Sequence, residues 1–250
     1  LYEGISSSEL CSLVEGTTSW DYITLCGNYR TFNNIYRITE GGFELPPEDK
    51  SNYVEEKFDE IAQKYDRFND VITFGMHRYW KKFVVRQTGL RPDEECLDLC
   101  CGTGDISREI LRQHPDCKVT GLDFSAEMLK IAESKSSANS GIQYLQGDAM
   151  NIPFPDGNFD AVTIGYGLRN VPELNGCLKE ILRVLKPGGV FIVSFSNRMF
   201  PTKAVRIWRG MSDEGHLDLV SSYMGYAGGF GDIRSGLVNP ADQPQGNPLF

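Results

Sequence analysis

The sequence predicts an α/β protein with a doubly wound, mostly parallel sheet. Short apolar runs alternate with helical patterns between about residues 95 and 195, and the first run leads into a Gly-x-Gly turn. Alternating strands and helices build parallel sheets, because each crossover helix returns the chain to the same end of the sheet. Ligands of such sheets bind beyond the carboxyl ends of the strands. The residues that follow each strand are therefore the candidate site.

The glycine turn is the most informative motif of the chain. The apolar run 95–99 precedes Gly102 and Gly104, and apolar residues then recur at helical spacing. Glycines let the backbone approach a ligand that a Cβ would hold off, and the helix start presents free N–H groups. About 20 residues further on, a second apolar run ends in Asp123, whose carboxylate can accept hydrogen bonds from ribose hydroxyls. The pattern predicts a nucleoside-binding βαβ unit.

The same turn indicates which nucleoside is bound. A dinucleotide fingerprint needs a third glycine to hold the pyrophosphate, and Ser107 stands at that position. The sequence also lacks the Gly-Lys-Ser/Thr of a phosphate-binding loop. An adenosine ligand without a pyrophosphate fits these residues better, and S-adenosylmethionine is the common one. A nicotinamide dehydrogenase is the weaker alternative.

The composition is that of one globular domain preceded by an arm. The chain has 250 residues, of which 40% are hydrophobic and 24% are charged, which suits a single sizeable core. A linker at 46–50 separates an N-terminal arm, residues 1–50, from the main domain, residues 51–250. The chain starts at Leu1 and stops in an apolar run at Phe250. We therefore expect that the natural N-terminus is missing and that the last strand is cut short.

Charge and cysteine content argue against several classes of ligand and partner. The net charge is -9 and no basic stripe appears, which argues against nucleic acid. No apolar run approaches the length that spans a membrane. The seven cysteines are an odd number without a Cys-x-x-Cys pair, which indicates reduced thiols in a reducing compartment. The three histidines are scattered, which argues against a metal site.

The remaining elements follow from periodicity and turn residues. Helices are predicted at 52–65, from Thr73 to near Gly89, from the cap Ser125, from Pro172 to a stop at 186–189, and at 202–208 and 213–226. Strands are predicted at 142–145, 159–164, 190–195 and 232–238. The two helices before the first strand are expected to form a lid over the nucleoside. For Tyr65 and Trp80, core packing is the alternative role.

Six groups of residues resemble the motifs of one enzyme family. They are Phe58-Asp59 with Tyr65-Asp66, Phe74-Gly75 with His77-Arg78 and Trp80-Lys81, Leu97-Asp98-Leu99 with Gly102-Thr103-Gly104-Asp105, Pro153-Phe154-Pro155-Asp156 with Phe159-Asp160, Gly167-Leu168-Arg169-Asn170-Val171, and Arg183-Val184-Leu185-Lys186-Pro187-Gly188-Gly189. Over residues 58–195 the chain thus resembles class I S-adenosylmethionine-dependent methyltransferases. The Gly-Leu-Arg-Asn-Val and Phe-Gly-x-His-Arg runs are similar, more narrowly, to those of the ubiquinone/menaquinone-biosynthesis C-methyltransferases.

The resemblance implies a seven-stranded, Rossmann-like methyltransferase sheet. It also implies methyl transfer from S-adenosylmethionine, with S-adenosylhomocysteine as product, to a small aromatic or prenylated quinol. The implied cofactor-binding residues are Tyr65, Thr73, Asp98, Gly102, Gly104, Asp123, Phe124, Met128, Asp148, Ala149 and Gly165. In this set the glycines bracket the methionine part and the ribose, Asp123 holds the ribose hydroxyls, and Asp148 meets the adenine amino group. Arg169 and Asp148 are the implied catalytic residues.

The catalytic expectation also has support from the residues themselves. A ring-carbon acceptor needs a proton removed from a hydroxyl or from the carbon, and no histidine lies in the loops after the third and fourth strands. Asp148 and Arg169 are the ionisable candidates there. Because Arg169 stays protonated, it would stabilise a phenolate or orient a water. The alternatives are a structural fork on loop carbonyls for Arg169 and cofactor binding alone for Asp148.

The sequence departs from the family's usual C-terminal segment after Ser196. From there it is similar to an uncharacterised methyltransferase-like group of photosynthetic organisms, so the acceptor stays open. We expect a plastid or a mitochondrial matrix as the location rather than the cytoplasm. The alternative function is that of a non-catalytic subunit that keeps the fold as a docking module. The N-terminal arm would then be a contact surface for a protein partner.

Overall fold

A computed structural model describes residues 58–59, 62, 66, 69, 76–137, 141–195 and 210–236 of the chain. Residues 58, 59, 62, 66 and 69 are helical, and a single 3₁₀ turn lies at Leu168–Asn170. The other elements are α1 (Met76–Gln87), β1 (Glu95–Leu99), α2 (Asp105–Gln113), β2 (Lys118–Asp123), α3 (Ala126–Lys135), β3 (Ile142–Gln146), β4 (Phe159–Gly165), α4 (Leu174–Val184), β5 (Leu185–Ser194) and α5 (Asp213–Ala227). Predictions for residues 1–50, for the helix at 202–208 and for Tyr65 and Thr73 lie outside the described residues.

The five strands form one parallel sheet in the order β3-β2-β1-β4-β5. This confirms the doubly wound α/β prediction, although the described residues contain five of the seven expected strands. β1 lies in the centre, so its residues are covered on both faces. Leu97 and Leu99 pack with α4 residues on one face, and Cys96 packs with α1 and α2 residues on the other. Both faces are thus closed by helices, which leaves the carboxyl edge of the sheet for a ligand.

The boundary between α4 and β5 differs from the predicted one. β5 begins at Leu185 rather than at Val190, directly after α4. Leu185 pairs with Phe159 and Val190 pairs with Ala161, so the residues between them form a bulge against β4. Gly188 turns the bulge at a φ of 80°, which glycine adopts without strain. The Lys-Pro-Gly-Gly run therefore interrupts a strand instead of separating a helix from one.

Two further element predictions are wrong. Pro172 does not occupy the first turn of α4, because Glu173 is the N-cap and its carboxylate accepts hydrogen bonds from the N–H groups of Asn175 and Gly176. The run predicted as a strand at 232–238 has no strand in its described part, residues 232–236. The predicted helix at 213–226 is confirmed by α5.

Arg183 joins two of the sequence motifs. From the last turn of α4, its guanidinium donates to the carbonyls of Ile152 and Phe154, each at 2.7 Å, and to the carboxylates of Asp156 and Glu180 at 3.0 and 2.8 Å. The Pro-Phe-Pro-Asp loop before β4 is therefore held to α4 by one side chain. These contacts fix the connection that leads the chain from β3 into β4.

Candidate functional site

Four neighbouring strands end side by side at the carboxyl edge of the sheet. In spatial order they are β3, β2, β1 and β4. The residues that follow them are Asp148 after β3, Asp123 at the end of β2, the glycine turn after β1 and Arg169 after β4. The fold therefore brings four of the predicted site features to one edge.

The two glycines of the turn are needed for different reasons. Both have a positive φ, 55° at Gly102 and 75° at Gly104. A Cβ on Gly104 would overlap the Tyr144 hydroxyl and lie 3.0 Å from the Ala132 Cβ, whereas a Cβ on Gly102 meets no atom of the described residues within 4 Å. Gly104 thus serves the packing of the protein. Among the described residues Gly102 leaves room for a ligand to approach the backbone.

Asp123 connects the glycine turn to the end of β2. Its Oδ2 accepts a hydrogen bond from the Gly102 N–H at 2.7 Å, and its Oδ1 accepts one from the Ser125 N–H at 2.9 Å. Burial raises the pKa of this carboxyl, while the two N–H donors oppose the rise. Each carboxylate oxygen has two acceptor sites. The group therefore keeps acceptor capacity for a pair of ribose hydroxyls at the side of the glycine turn.

Asp98 and Met128 differ from the sequence expectation. Asp98 is 0% exposed and Met128 is 1% exposed, so neither has a surface that a cofactor could reach directly. The Asp98 carboxylate accepts hydrogen bonds from Ser107 Oγ at 2.6 Å and from Thr163 Oγ1 at 3.1 Å. It joins β1, α2 and β4 directly beneath the turn. Ser107, which the sequence pattern marks only as a missing glycine, is the donor that makes this connection.

The residues after β3 and β4 are placed by local contacts. Asp148 is exposed, and its Oδ1 accepts from the Met150 N–H at 2.9 Å, while Ala149 is buried beside it. Phe124 is half-buried, and its carbonyl accepts from Gln146 Nε2 at 3.0 Å. Gly165 serves packing, because a Cβ there would overlap the Ile106 side chain of α2.

Arg169 projects from a firmly anchored turn. Val171 is buried in the α4 side of the core and Leu168 packs against the same cluster, while Arg169 between them is exposed. Within the part of the chain that the structure describes, its guanidinium makes no hydrogen bond or ion pair, which argues against the structural fork. A Cβ on Gly167 would overlap the Cys100 Cβ. The turn that carries Arg169 therefore abuts the start of the glycine turn.

Four residues that contact one another beside the site are not predicted as site residues from the sequence. Thr103 Oγ1 donates to Asp66 Oδ1 at 2.7 Å, and Ser125 Oγ donates to Asp59 Oδ1. These contacts join the helical residues before α1 to the two turns that carry Gly102 and Asp123. The signal in the sequence was the pair of aspartates in the Phe-Asp and Tyr-Asp motifs.

Other site types find no support in the described residues. No group of three or more His, Cys, Asp or Glu side chains among them is arranged to hold a metal ion, and none of their helices is long and apolar enough to cross a membrane. Cys100 and Cys101 are free, and burial raises the pKa of both thiols well above 9.0. They are therefore poor nucleophiles at neutral pH.

Comparison with known proteins identifies the class of this site. The model of the ubiE/COQ5 methyltransferase family matches residues 47–239. These residues thus carry the fold and cofactor site of an S-adenosylmethionine-dependent methyltransferase. The chain belongs to the ubiE/COQ5 methyltransferase family, and S-adenosylmethionine is its cofactor. The room that the described residues leave at Gly102 and the acceptor capacity of Asp123 fit that ligand.

Individual relatives are similar over part of their length. The chain is 46% identical over 136 residues to a demethylmenaquinone methyltransferase of Staphylococcus aureus, strain JH9, which covers 54% of this chain and 56% of that protein. The chain thus spans about half the length of the curated relatives it matches. A solved SAM-dependent methyltransferase from Aquifex aeolicus is 21% identical, with a TM-score of 0.49 over 59% of this chain and 78% of that one.

Proposed function

We propose that this protein transfers the methyl group of S-adenosylmethionine to a ring carbon of a small, lipophilic quinol. The observation that carries the proposal is the exposed Arg169 beside the glycine turn, without a partner among the described residues. The membership of the ubiE/COQ5 family supports methyl transfer. The name of the Staphylococcus aureus relative, a demethylmenaquinone methyltransferase, supports a quinol as the acceptor.

The order of the strand ends supports a particular direction for the cofactor. Adenine would lie near Asp148 after β3, the ribose near Asp123 on β2, and the methionine part near the glycine turn after β1. The methyl group would then point towards β4 and Arg169. β3 and β4 are three strand spacings apart, about 14 Å, so Asp148 and Arg169 would not act on the same ring carbon. This distance favours cofactor binding over a catalytic role for Asp148.

The proposed chemistry needs charge stabilisation more than a strong base. S-adenosylmethionine supplies an electrophilic methyl group on a sulfonium, and its sulfur leaves as the thioether. The acceptor's hydroxyl would lose its proton to water, and Arg169 would hold the oxygen as a phenolate, which makes the neighbouring ring carbon electron-rich. That carbon would take up the methyl group as the methyl–sulfur bond breaks, and it would then lose its own proton to water. The guanidinium remains charged throughout.

The test compares three variants with the parent chain on short-chain quinols. Arg169→Ala should bind S-adenosylmethionine normally and lose methyl transfer by about 100-fold or more. Arg169→Lys, which keeps the charge but loses the fork, should retain part of the rate. Arg112→Ala is the matched control, because Arg112 is exposed on the last turn of α2, away from the glycine turn. Radioactive methyl transfer and calorimetry measure the two quantities.

Two results would contradict the proposal. Unchanged turnover in Arg169→Ala would show that the guanidinium does not stabilise the phenolate. A parent chain that binds S-adenosylmethionine but methylates no quinol or phenol would favour the docking module instead.

A further inference from the structure

We propose that Asp59 and Asp66 are positioning residues for S-adenosylmethionine, each holding one of the two strand-end turns that bind the nucleoside. Asp66 would hold the glycine turn after β1, and Asp59 the turn after β2. The inference rests on the cofactor site and is independent of the acceptor.

The contact of Asp66 reaches the middle of the glycine turn. Thr103 lies between Gly102 and Gly104, is 3% exposed, and donates its hydroxyl to Asp66 Oδ1 at 2.7 Å. The other oxygen of Asp66 pairs with Lys135 at the end of α3. A glycine-flanked turn has little conformational preference of its own. A charge-assisted hydrogen bond at its central residue therefore restricts the turn to one conformation.

The contact of Asp59 reaches the ribose carboxylate through one intervening residue. Ser125 donates its hydroxyl to Asp59 Oδ1 and its backbone N–H to Asp123 Oδ1, the latter at 2.9 Å. The same hydroxyl caps α3 by accepting from the Met128 N–H at 3.1 Å. Ser125 is 2% exposed, so it has little room to find other partners. Asp59 thus fixes the rotamer of the residue that orients Asp123.

Asp59 and Asp66 are both helical residues, at the spacing of one helix face. Positions 59, 62 and 66 are three and four residues apart, and the helical Ala62 between the aspartates is 3% exposed. The two carboxylates contact the turns after β2 and β1, one each. These contacts add to the hydrogen bonds that already join the two strand ends, from the Gly102 N–H to Asp123 and from the Cys101 N–H to the Leu122 carbonyl.

The experiment removes each contact by deleting its acceptor or its donor. Asp66→Ala, Asp59→Ala and Thr103→Val should each weaken S-adenosylmethionine binding about tenfold, the effect of a lost charge-assisted hydrogen bond. Thr103→Ser keeps the hydroxyl and should bind like the parent. Asp116→Ala is the matched control, since Asp116 is exposed before β2 at the opposite edge of the sheet. Calorimetry on the full chain without acceptor measures affinity, and thermal unfolding without cofactor measures stability.

A double variant and kinetics separate positioning from general stabilisation. Thr103→Val combined with Asp66→Ala should lose no more affinity than Asp66→Ala alone, because the Asp66 change already removes the contact with Thr103. The Michaelis constant for S-adenosylmethionine should rise while kcat stays the same, as expected for lost binding in both ground and transition states. The proposal is overturned if both Asp variants bind within twofold of the parent. It is also overturned if Thr103→Ser weakens binding as much as Thr103→Val.

Discussion

Asp98 carries a carboxyl group in the centre of the protein, at 0% exposure. Burial raises its pKa from 3.8 to about 6, although the hydroxyls of Ser107 and Thr163 and the charge of Lys81 oppose the rise. The two hydroxyls bring α2 and β4 to the same carboxyl group of β1. At the scale of single residues, this group supports the site from beneath rather than touching the ligand.

The raised pKa of Asp98 predicts a pH-dependent stability. The folded state binds the proton more tightly than the unfolded state, so this contribution is fully present below about pH 3.8 and is lost as the pH rises through about 6. The difference corresponds to about 3 kcal/mol of unfolding free energy. Asp98→Asn cannot ionise and should gain that amount relative to the parent between about pH 4 and pH 7. Urea unfolding across this pH range measures the difference in unfolding free energy. The prediction is contradicted if the unfolding free energies of the two proteins change with pH in the same way.

Asp123 should be the residue on which cofactor affinity depends most directly. Asp123→Ala removes the acceptor of two charge-assisted hydrogen bonds and also leaves the Gly102 N–H without its partner. We expect the affinity for S-adenosylmethionine to fall at least about tenfold, which corresponds to about 1.4 kcal/mol. Asp116→Ala, at the opposite edge of the sheet, should bind like the parent. Calorimetry that finds equal affinity for Asp123→Ala would place the ribose elsewhere.

Sequence spacing was informative for residues at a strand end and uninformative for residues inside the sheet. The glycine pair and Asp123 meet in the structure because their spacing along the chain reflects one βαβ unit. Asp98 belongs to the cofactor-binding set that the family resemblance implies, but the structure buries it completely inside β1. Its partner Thr163 lies on β4, and a contact between residues so far apart in sequence leaves no local pattern.

At the scale of elements, helices and strands were predicted well where one periodicity prevailed. α5 and the start of β4 lie where the pattern predicts them. The start of β5 was missed because pairing of Leu185 with Phe159 extends the strand across a Lys-Pro-Gly-Gly run that normally ends an element. Hydrogen bonds to β4 thus outweigh the local turn preference of this run. The sequence alone does not show that these hydrogen bonds form.

Substitution of the two glycines of the turn should affect different properties, cofactor affinity at Gly102 and stability at Gly104. Gly102→Ala places a Cβ where no atom of the described residues lies within 4 Å, so the free protein should lose about 1–2 kcal/mol through the strain of a positive φ, while cofactor binding should fall more than tenfold. Gly104→Ala adds overlap with Tyr144 and Ala132 and should unfold at a distinctly lower temperature. Thermal unfolding and calorimetry on both variants test this. If Gly102→Ala binds S-adenosylmethionine as tightly as the parent, the cofactor does not approach the backbone at Gly102.

At the scale of the whole molecule, the alternation of strands and helices was sufficient to predict the parallel sheet and its ligand edge. It was insufficient for the strand count, because short apolar runs are ambiguous without their partners. The run at 232–238 is the example, since its described residues are exposed and form no strand. The central strands were predicted correctly because two covered faces demand near-continuous apolar sequences.

The whole molecule should be stabilised by S-adenosylmethionine and not by NAD. A ligand at about 100 times its Kd adds about 2.7 kcal/mol to the unfolding free energy, which raises the Tm of a chain of this size by about 5–10 °C. NAD at the same concentration should leave the Tm unchanged, because Ser107 closes the position where a pyrophosphate site needs a third glycine, and its hydroxyl is already bonded to Asp98. Gly102→Ala should lose the shift with S-adenosylmethionine as well. A larger shift with NAD than with S-adenosylmethionine would contradict the assignment of the cofactor, because the same turn would then hold a dinucleotide.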